Sequence, residues 1–199
     1  MRKSLVFAIV AILACSSMVF AGVPDPARSG CGTNAASSAC HYRIIADGSQ
    51  DIISCSVTLR DAFDTPVASC STSASLVFTG GGTGGQCACG GITTFTGTTD
   101  AGGVVTFATA ALGGSGGLDI NITAHCVGNI AICTKSVLYT TPDLTASCES
   151  GTPSTTVADL GAWASGLTAY NVWSDYTCDA AVGVADLGFW AGGLTVGCP

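Results

Sequence analysis

A twelve-residue segment occurs twice in this chain, as VADLGAWASGLT at 157–168 and VADLGFWAGGLT at 184–195, a period of 27 residues. In each copy the large apolar residues fall at i, i+3 and i+7: Leu160, Trp163 and Leu167 in the first, Leu187, Trp190 and Leu194 in the second. That spacing lines one face of a helix. A short helix diluted with glycine does not stand alone, because nucleation costs more than its few hydrogen bonds return. Two copies therefore predict two short helices packed with their apolar faces together, with Trp163 and Trp190 in the core between them.

Directly before the second copy stands DYTCDAAVGVAD, Asp175 to Asp186. It places Asp175, Thr177 and Asp179 at positions 1, 3 and 5 of a twelve-residue loop, Val182 at position 8 and Asp186 at position 12. Alternate residues of a tight loop point inward and the last acid enters from the following helix, which suits calcium, a hard cation that takes six to eight oxygens. On these residues the tail resembles the dockerin repeat of secreted bacterial proteins, an EF-hand loop without its first helix that ends in Asp-Leu, as Asp186-Leu187 does. The resemblance implies Asp175, Thr177, Asp179 and Asp186 as side-chain ligands and the Ala181 carbonyl at position 7. It also implies a cohesin-like or other surface protein as partner, contacted by the dipeptide before each final acid, Val157-Ala158 and Val184-Ala185. Ala180 stands where the family has a turn glycine and Thr177 where it has Asn, which implies weak affinity. In the first copy, counting back twelve from Asp159 reaches Cys148, with Ser150 and Thr152 beside it, all poor ligands. An alternative opening at Pro142-Asp143-Leu144-Thr145 needs five extra residues, so an ion is expected at most weakly there. The competing reading of the second loop is an ion-free relic held by a disulfide from Cys178 to Cys148 or Cys198.

Residues 41–141 read differently. HYRIIAD, IISCSVTLRD, PVASCSTSASLVF, ITTFTGT, GVVTFATA, GLDINITAHC and CTKSVLYTT are short runs rich in β-branched and aromatic residues, separated by Gly, Asp and Thr turns. Seven such runs, with connections too short for crossover helices, predict a fully antiparallel sandwich. VTLRDAFDTPV (57–67) and TTDAGGVVTF (98–107) resemble the invasin-type bacterial Ig-like repeats, in which an Asp-rich turn precedes a Pro-Val strand and Thr-Asp-x-x-Gly leads into Val-x-Phe. Asp61 and Asp64 are expected to cap one turn, and Gly102 or Gly103 to supply a positive φ in the other. GGGTGGQCACGG (80–91) lacks the Gly-Lys-Ser/Thr end of a phosphate loop and is read as a surface loop.

The start of the chain, Met1-Arg2-Lys3 followed by SLVFAIVAILACSSMVF and Ala21, has the form of an export signal cleaved after Ala21. A lipoprotein reading would modify Cys15, but Leu13 is large for its place in that motif. Cleavage leaves Arg28, Arg43, Arg60 and Lys135 against 13 acidic residues, a net charge of −9 that excludes nucleic acid as a partner. No later segment approaches the ~20 apolar residues of a membrane span. Eleven cysteines remain of the chain's 12, and in an oxidising compartment they predict disulfides, with one thiol over for a link to a second copy. Local pairs are expected, Cys31 with Cys40 and Cys126 with Cys133, and Cys148, Cys178 and Cys198 are further candidates.

Neither His41 nor His125 belongs to a catalytic constellation, and both are expected at strand edges or on the surface. The sole glutamate, Glu149, lies in a Gly/Ser/Thr/Pro loop, so no carboxylate pair for hydrolysis stands out. The expected organisation is a signal peptide (1–21), an N-terminal lead (22–40), an Ig-like antiparallel β-sandwich (41–141) and a two-helix dockerin-like calcium-loop tail (142–199). The expected role is that of a secreted, non-catalytic cell-surface or scaffold-attached module; the alternative is a disulfide-linked envelope, filament or adhesin subunit.

Overall fold

The computed structural model describes residues 22–45, 51–109, 111–145 and 154–194. The expected signal peptide, with Cys15, and the candidates Cys148 and Cys198 lie outside these residues. The fold is mostly β. Its strands are β1 (Gly30–Thr33), β2 (Tyr42–Arg43), β3 (Ser54–Thr58), β4 (Ser71–Gly81), β5 (Cys87–Ala88), β6 (Thr94–Thr98), β7 (Val104–Ala108), β8 (Leu112–Gly113), β9 (Gly116–Ala124) and β10 (Ile130–Thr140). Two helices follow, α1 (Val157–Ser165) and α2 (Val184–Gly192), one on each copy of the repeat.

Three sheets form, in the orders β1-β3-β7, β2-β10-β9-β4-β6 and β5-β8. The alternation of apolar and polar residues decides which side of each strand faces in. In β9 the side chains of Leu118, Ile120, Ile122 and Ala124 are buried, while Asp119, Asn121 and Thr123 face outward. The outward residues pair across the strands: Ser136 Oγ donates to Asp119 Oδ1 at 2.6 Å and Thr134 Oγ1 to Asn121 Oδ1 at 2.7 Å. Inward residues of β3, Cys55 and Val57, join those of β4, β7, β9 and β10 in one core. All seven expected strand runs are present, but the arrangement is not fully antiparallel. β2 runs parallel to β10, with Tyr42 opposite Tyr139 and Arg43 opposite Thr140. A two-residue strand needs no crossover helix, because the rest of the chain has run through both sheets before β10 returns beside it. The N-terminal lead also supplies β1 as an edge strand on β3.

The glycine-rich segment lies mostly at the surface, as expected, but is tied into the fold at both ends. Gly80 and Gly81 pair with Gly117 and Gly116, and Gln86 folds back so that its Oε1 accepts from Gly80 N and its Nε2 donates to the Gly117 carbonyl. β5 and β8 pair behind it and bury Ala88 and Leu112.

Neither expected local disulfide forms. Cys31 bonds Cys133, Cys40 bonds Cys178 and Cys70 bonds Cys126. Register explains the failure of the Cys126–Cys133 pair: Cys133 stands opposite Ile122, four residues and roughly 13 Å of strand from Cys126. The first bridge joins β1 to β10 and so ties one sheet to the other; the third joins the start of β4 to the end of β9. Cys87 and Cys89 are also oxidised. The free thiol among the described residues is Cys55, 1% exposed in the core, where it offers no sulfur to a second chain.

Two turns interlock at one end of the sheets. Asp61 Oδ1 accepts from Phe63 N and Thr65 N, and Asp100 Oδ1 accepts from Gly102 N and Val104 N. Asp64 is itself in the left-handed region, with φ 65°. Of the two candidate glycines it is Gly103 that has the positive φ, 76°, and a Cβ there would lie 2.5 Å from the Leu59 carbonyl oxygen. Gly103→Ala is therefore expected to cost about 2 kcal/mol or more and Gly102→Ala less than about 1 kcal/mol, as read from urea unfolding midpoints.

Candidate functional site

The two copies of the repeat are related by more than their helices. Each helix carries an aspartate at its third position, Asp159 in α1 and Asp186 in α2, and both are 1% exposed. An aspartate there can accept from the backbone N–H that opens the helix. Asp159 Oδ2 accepts from Thr156 N at 2.7 Å and Asp186 Oδ2 from Gly183 N at 2.8 Å. The other oxygen of each reaches back to an Asp-x-Thr turn. Asp159 Oδ1 accepts from Leu144 N, Thr145 N and Thr145 Oγ1 at 2.7–2.9 Å. Asp186 Oδ1 accepts from Thr177 N at 2.9 Å and lies 3.1 Å from Thr177 Oγ1. The first loop thus opens at Asp143-Leu144-Thr145, with its five extra residues, and not at Cys148. The residue between Asp and Thr, Leu144 or Tyr176, drops into one buried cluster with Trp163 and Trp190. Leu167 and Leu194, the outer members of the expected stripes, are instead 55% and 36% exposed. The helices end at Ser165 and Gly192, two residues short of those leucines and before a third turn is complete.

The second loop brings three of the expected ligands together. Thr177 Oγ1 lies 3.4 Å from Asp175 Oδ1 and 3.1 Å from Asp186 Oδ1. One hydroxyl proton serves only one of those carboxylates, so the other contact sets oxygen lone pairs against each other. A hard cation would convert that contact into coordination, and the side-chain atoms that meet there are all oxygens, the donor type calcium takes. Asp175, 1% exposed, also accepts from Asp179 N and Ala180 N, which curls the loop around it. Ala180 has φ 67°, the left-handed conformation that the resemblance assigns to a glycine at this position. Asp179 and Ala181 lie at the exposed rim, where Asp179 Oδ1 accepts from Ala181 N. Asp175, Thr177 and Asp186 thus stand together in the second loop, where Asp175 accepts from Tyr170, Thr177, Asp179 and Ala180 and Asp186 from Thr177 and Gly183. In the first loop Asp159 accepts five hydrogen bonds from the protein itself, which leaves no free lone pair for an ion.

The four residues assigned to partner contact all face solvent. Val157 and Val184 are 75% and 86% exposed, and Ala158 and Ala185 are exposed beside them. Two contributors escaped sequence reasoning. Tyr170, five residues before the loop, donates its hydroxyl to Asp175 Oδ2 at 2.9 Å, and that bond raises its pKa. His41 is 2% exposed, not at the surface, and packs under the loop. Burial lowers its pKa, against the pull of Asp175, so the ring stays neutral. Cys178, at position 4 of the loop, bonds Cys40 rather than Cys148 or Cys198. The bridge and several hydrogen bonds fasten the tail to the β-body: Thr140 Oγ1 donates to the Trp173 carbonyl, Trp173 Nε1 to the Gly81 carbonyl and Tyr176 Oη to the Thr141 carbonyl.

Comparison with protein-family models, curated proteins and solved structures finds no match to this chain.

Asp159 gives a direct test of the turn. Burial raises its pKa, but the bonds from Thr156 and Thr145 outweigh this and leave it below the ordinary value. With a folded value below the unfolded one of about 3.9, its contribution to stability is complete above about pH 5 and is lost as pH falls through the folded pKa. Asp159→Asn, which replaces an acceptor oxygen by a donor, should cost about 2–3 kcal/mol at neutral pH and flatten the acid limb of the stability curve. Urea unfolding of both proteins across pH reads this difference.

Proposed function

We propose that the chain is a secreted, non-catalytic module of the cell surface or of an extracellular scaffold, attached through a calcium-dependent, dockerin-type interaction with a cohesin-like partner. The β-body is an Ig-like sandwich that carries the docking unit. The observation that bears most weight is the pair of exposed valines, Val157 and Val184, at matching positions of the two copies. Burying one valine is worth about 1.5–3 kcal/mol, so two such side chains left in water on a repeated surface call for a covering partner. Each valine sits two residues before the buried aspartate that shapes its loop, so an ion held by Asp186 would brace the helix start that presents Val184. The disulfides fit export to an oxidising compartment. The alternative, a covalently linked filament, draws no support from Cys55, whose sulfur is buried.

Immobilised protein and extracellular extract of its source cells provide the test. A surface protein should be retained in calcium and released by a chelator. Because the two dipeptides are equivalent, the informative variant carries both Val157→Asp and Val184→Asp, and it should bind at least about tenfold more weakly. Retention that ignores both chelator and double variant would rule the reading out.

A further inference from the structure

The chain has two Cys-His pairs in sequence, Cys40-His41 and Cys126-His125, and the fold treats them differently. His125 turns away from its cysteine: its Nε2 lies 2.8 Å from Ser73 Oγ and its Nδ1 2.8 Å from Asn129 Oδ1. His41 turns toward its own. Its Nδ1 lies 2.9 Å from Cys40 Sγ and 3.7 Å from Cys178 Sγ, so one ring nitrogen faces both atoms of the same disulfide. Among the described residues its Nε2 is buried without a hydrogen-bond partner, and the ring's polar contacts are with sulfur. Cys40 is exposed and Cys178 half-buried.

We propose that the Cys40–Cys178 bridge is a thiol-exchange site, at which small extracellular thiols open the link between the N-terminal segment and the loop while His41 assists the departing sulfur. The incoming thiolate attacks the exposed Cys40 Sγ. The bond from Cys40 to Cys178 breaks, its electron pair leaves on Cys178 Sγ, and a mixed disulfide forms on Cys40. The His41 Nδ1–H stabilises the charge on Cys178, whose proton is then made up from solvent. A second thiolate attacks the mixed disulfide and releases Cys40, so that two thiols have become one external disulfide and the protein has gained two cysteines. Exchange rates depend on access to the attacked sulfur and on how well the leaving thiolate is stabilised, and this bridge has both. The Cys70–Cys126 and Cys31–Cys133 bridges lack one or the other. Attack at exposed Cys126 would expel a thiolate from Cys70, which is fully buried, into apolar surroundings. Cys31 and Cys133 are half-buried between β1 and β10, and the chain has no third histidine to serve them. Cys178 lies between Thr177 and Asp179 with φ 60°, a conformation a non-glycine residue holds only under constraint, so opening the bridge frees the loop at its centre. The inference holds whether or not that loop takes an ion.

Folded protein treated with glutathione, quenched by alkylation at intervals and mapped by mass spectrometry tests it. Cys40–Cys178 should open first, at least about tenfold faster than Cys31–Cys133 and Cys70–Cys126, through a glutathione adduct on Cys40. His41→Ala should reduce that ratio toward unity, and His41→Asn, which keeps an N–H near the Nδ1 position, should retain most of it. Comparing bridges within each molecule removes general loss of stability from the readout. If His41→Ala fails to fold, the wild-type order and His41→Asn decide. Three bridges opening together, or a ratio unchanged in His41→Ala, would overturn the proposal.

Discussion

A buried carboxylate at the third position of each helix organises the C-terminal part of this protein. Asp159 and Asp186 each join the backbone N–H three residues before it, at the start of its helix, to an Asp-x-Thr turn nine to fifteen residues earlier in the chain. Once that bond is made, Leu144 and Tyr176 are placed under Trp163 and Trp190, and the valines two residues upstream are left in water. Neither helix is long enough to persist alone, so the carboxylates and the shared aromatic cluster supply what propensity does not. The two copies differ in how full the carboxylate is. Asp159 is saturated by protein donors, whereas Asp186 shares one hydroxyl proton with Asp175. Under the proposed calcium dependence, that difference would separate a closed structural loop from one that takes an ion.

The β-body serves this unit as a rigid base. Its charge is low, so its cohesion comes from burial in the shared core and from disulfides that cross between strands distant in sequence. β10 is central to both tasks. It pairs with β9 and β2, holds Cys133, and at its end presents Thr140 and Thr141 to the tail. Arg43, on β2, lies over the ring of Phe189 in α2 at 5.6 Å, which adds a second point of attachment beside the Cys40–Cys178 bridge.

Periodicity made much of this legible. The repeated Leu-x-x-Trp spacing marked both helices and both buried tryptophans, and alternation marked the seven longer strand runs. The Asp-x-Thr opening was visible at both 143 and 175, and the departure at Ala180, read there only as weakening an ion site, falls on a residue with φ 67°. What escaped depends on contacts between distant segments. The two-residue strands β5 and β8 carry no period to detect, the edge strand β1 has only four residues, and β2 covers just two residues of its expected run. Disulfide pairing follows strand register, so nearness in sequence misled for Cys126 and Cys133. The burial of His41 arises because β2 lies beside the end of β10 and under a loop more than 130 residues later, which no local pattern encodes.

Calorimetric titration of the folded protein with calcium tests the central claim most directly. The account predicts one ion per chain, lost in Asp186→Asn and kept in a Thr145→Val variant that alters only the first loop. No heat of binding in the wild-type protein, or binding that survives Asp186→Asn, would contradict it.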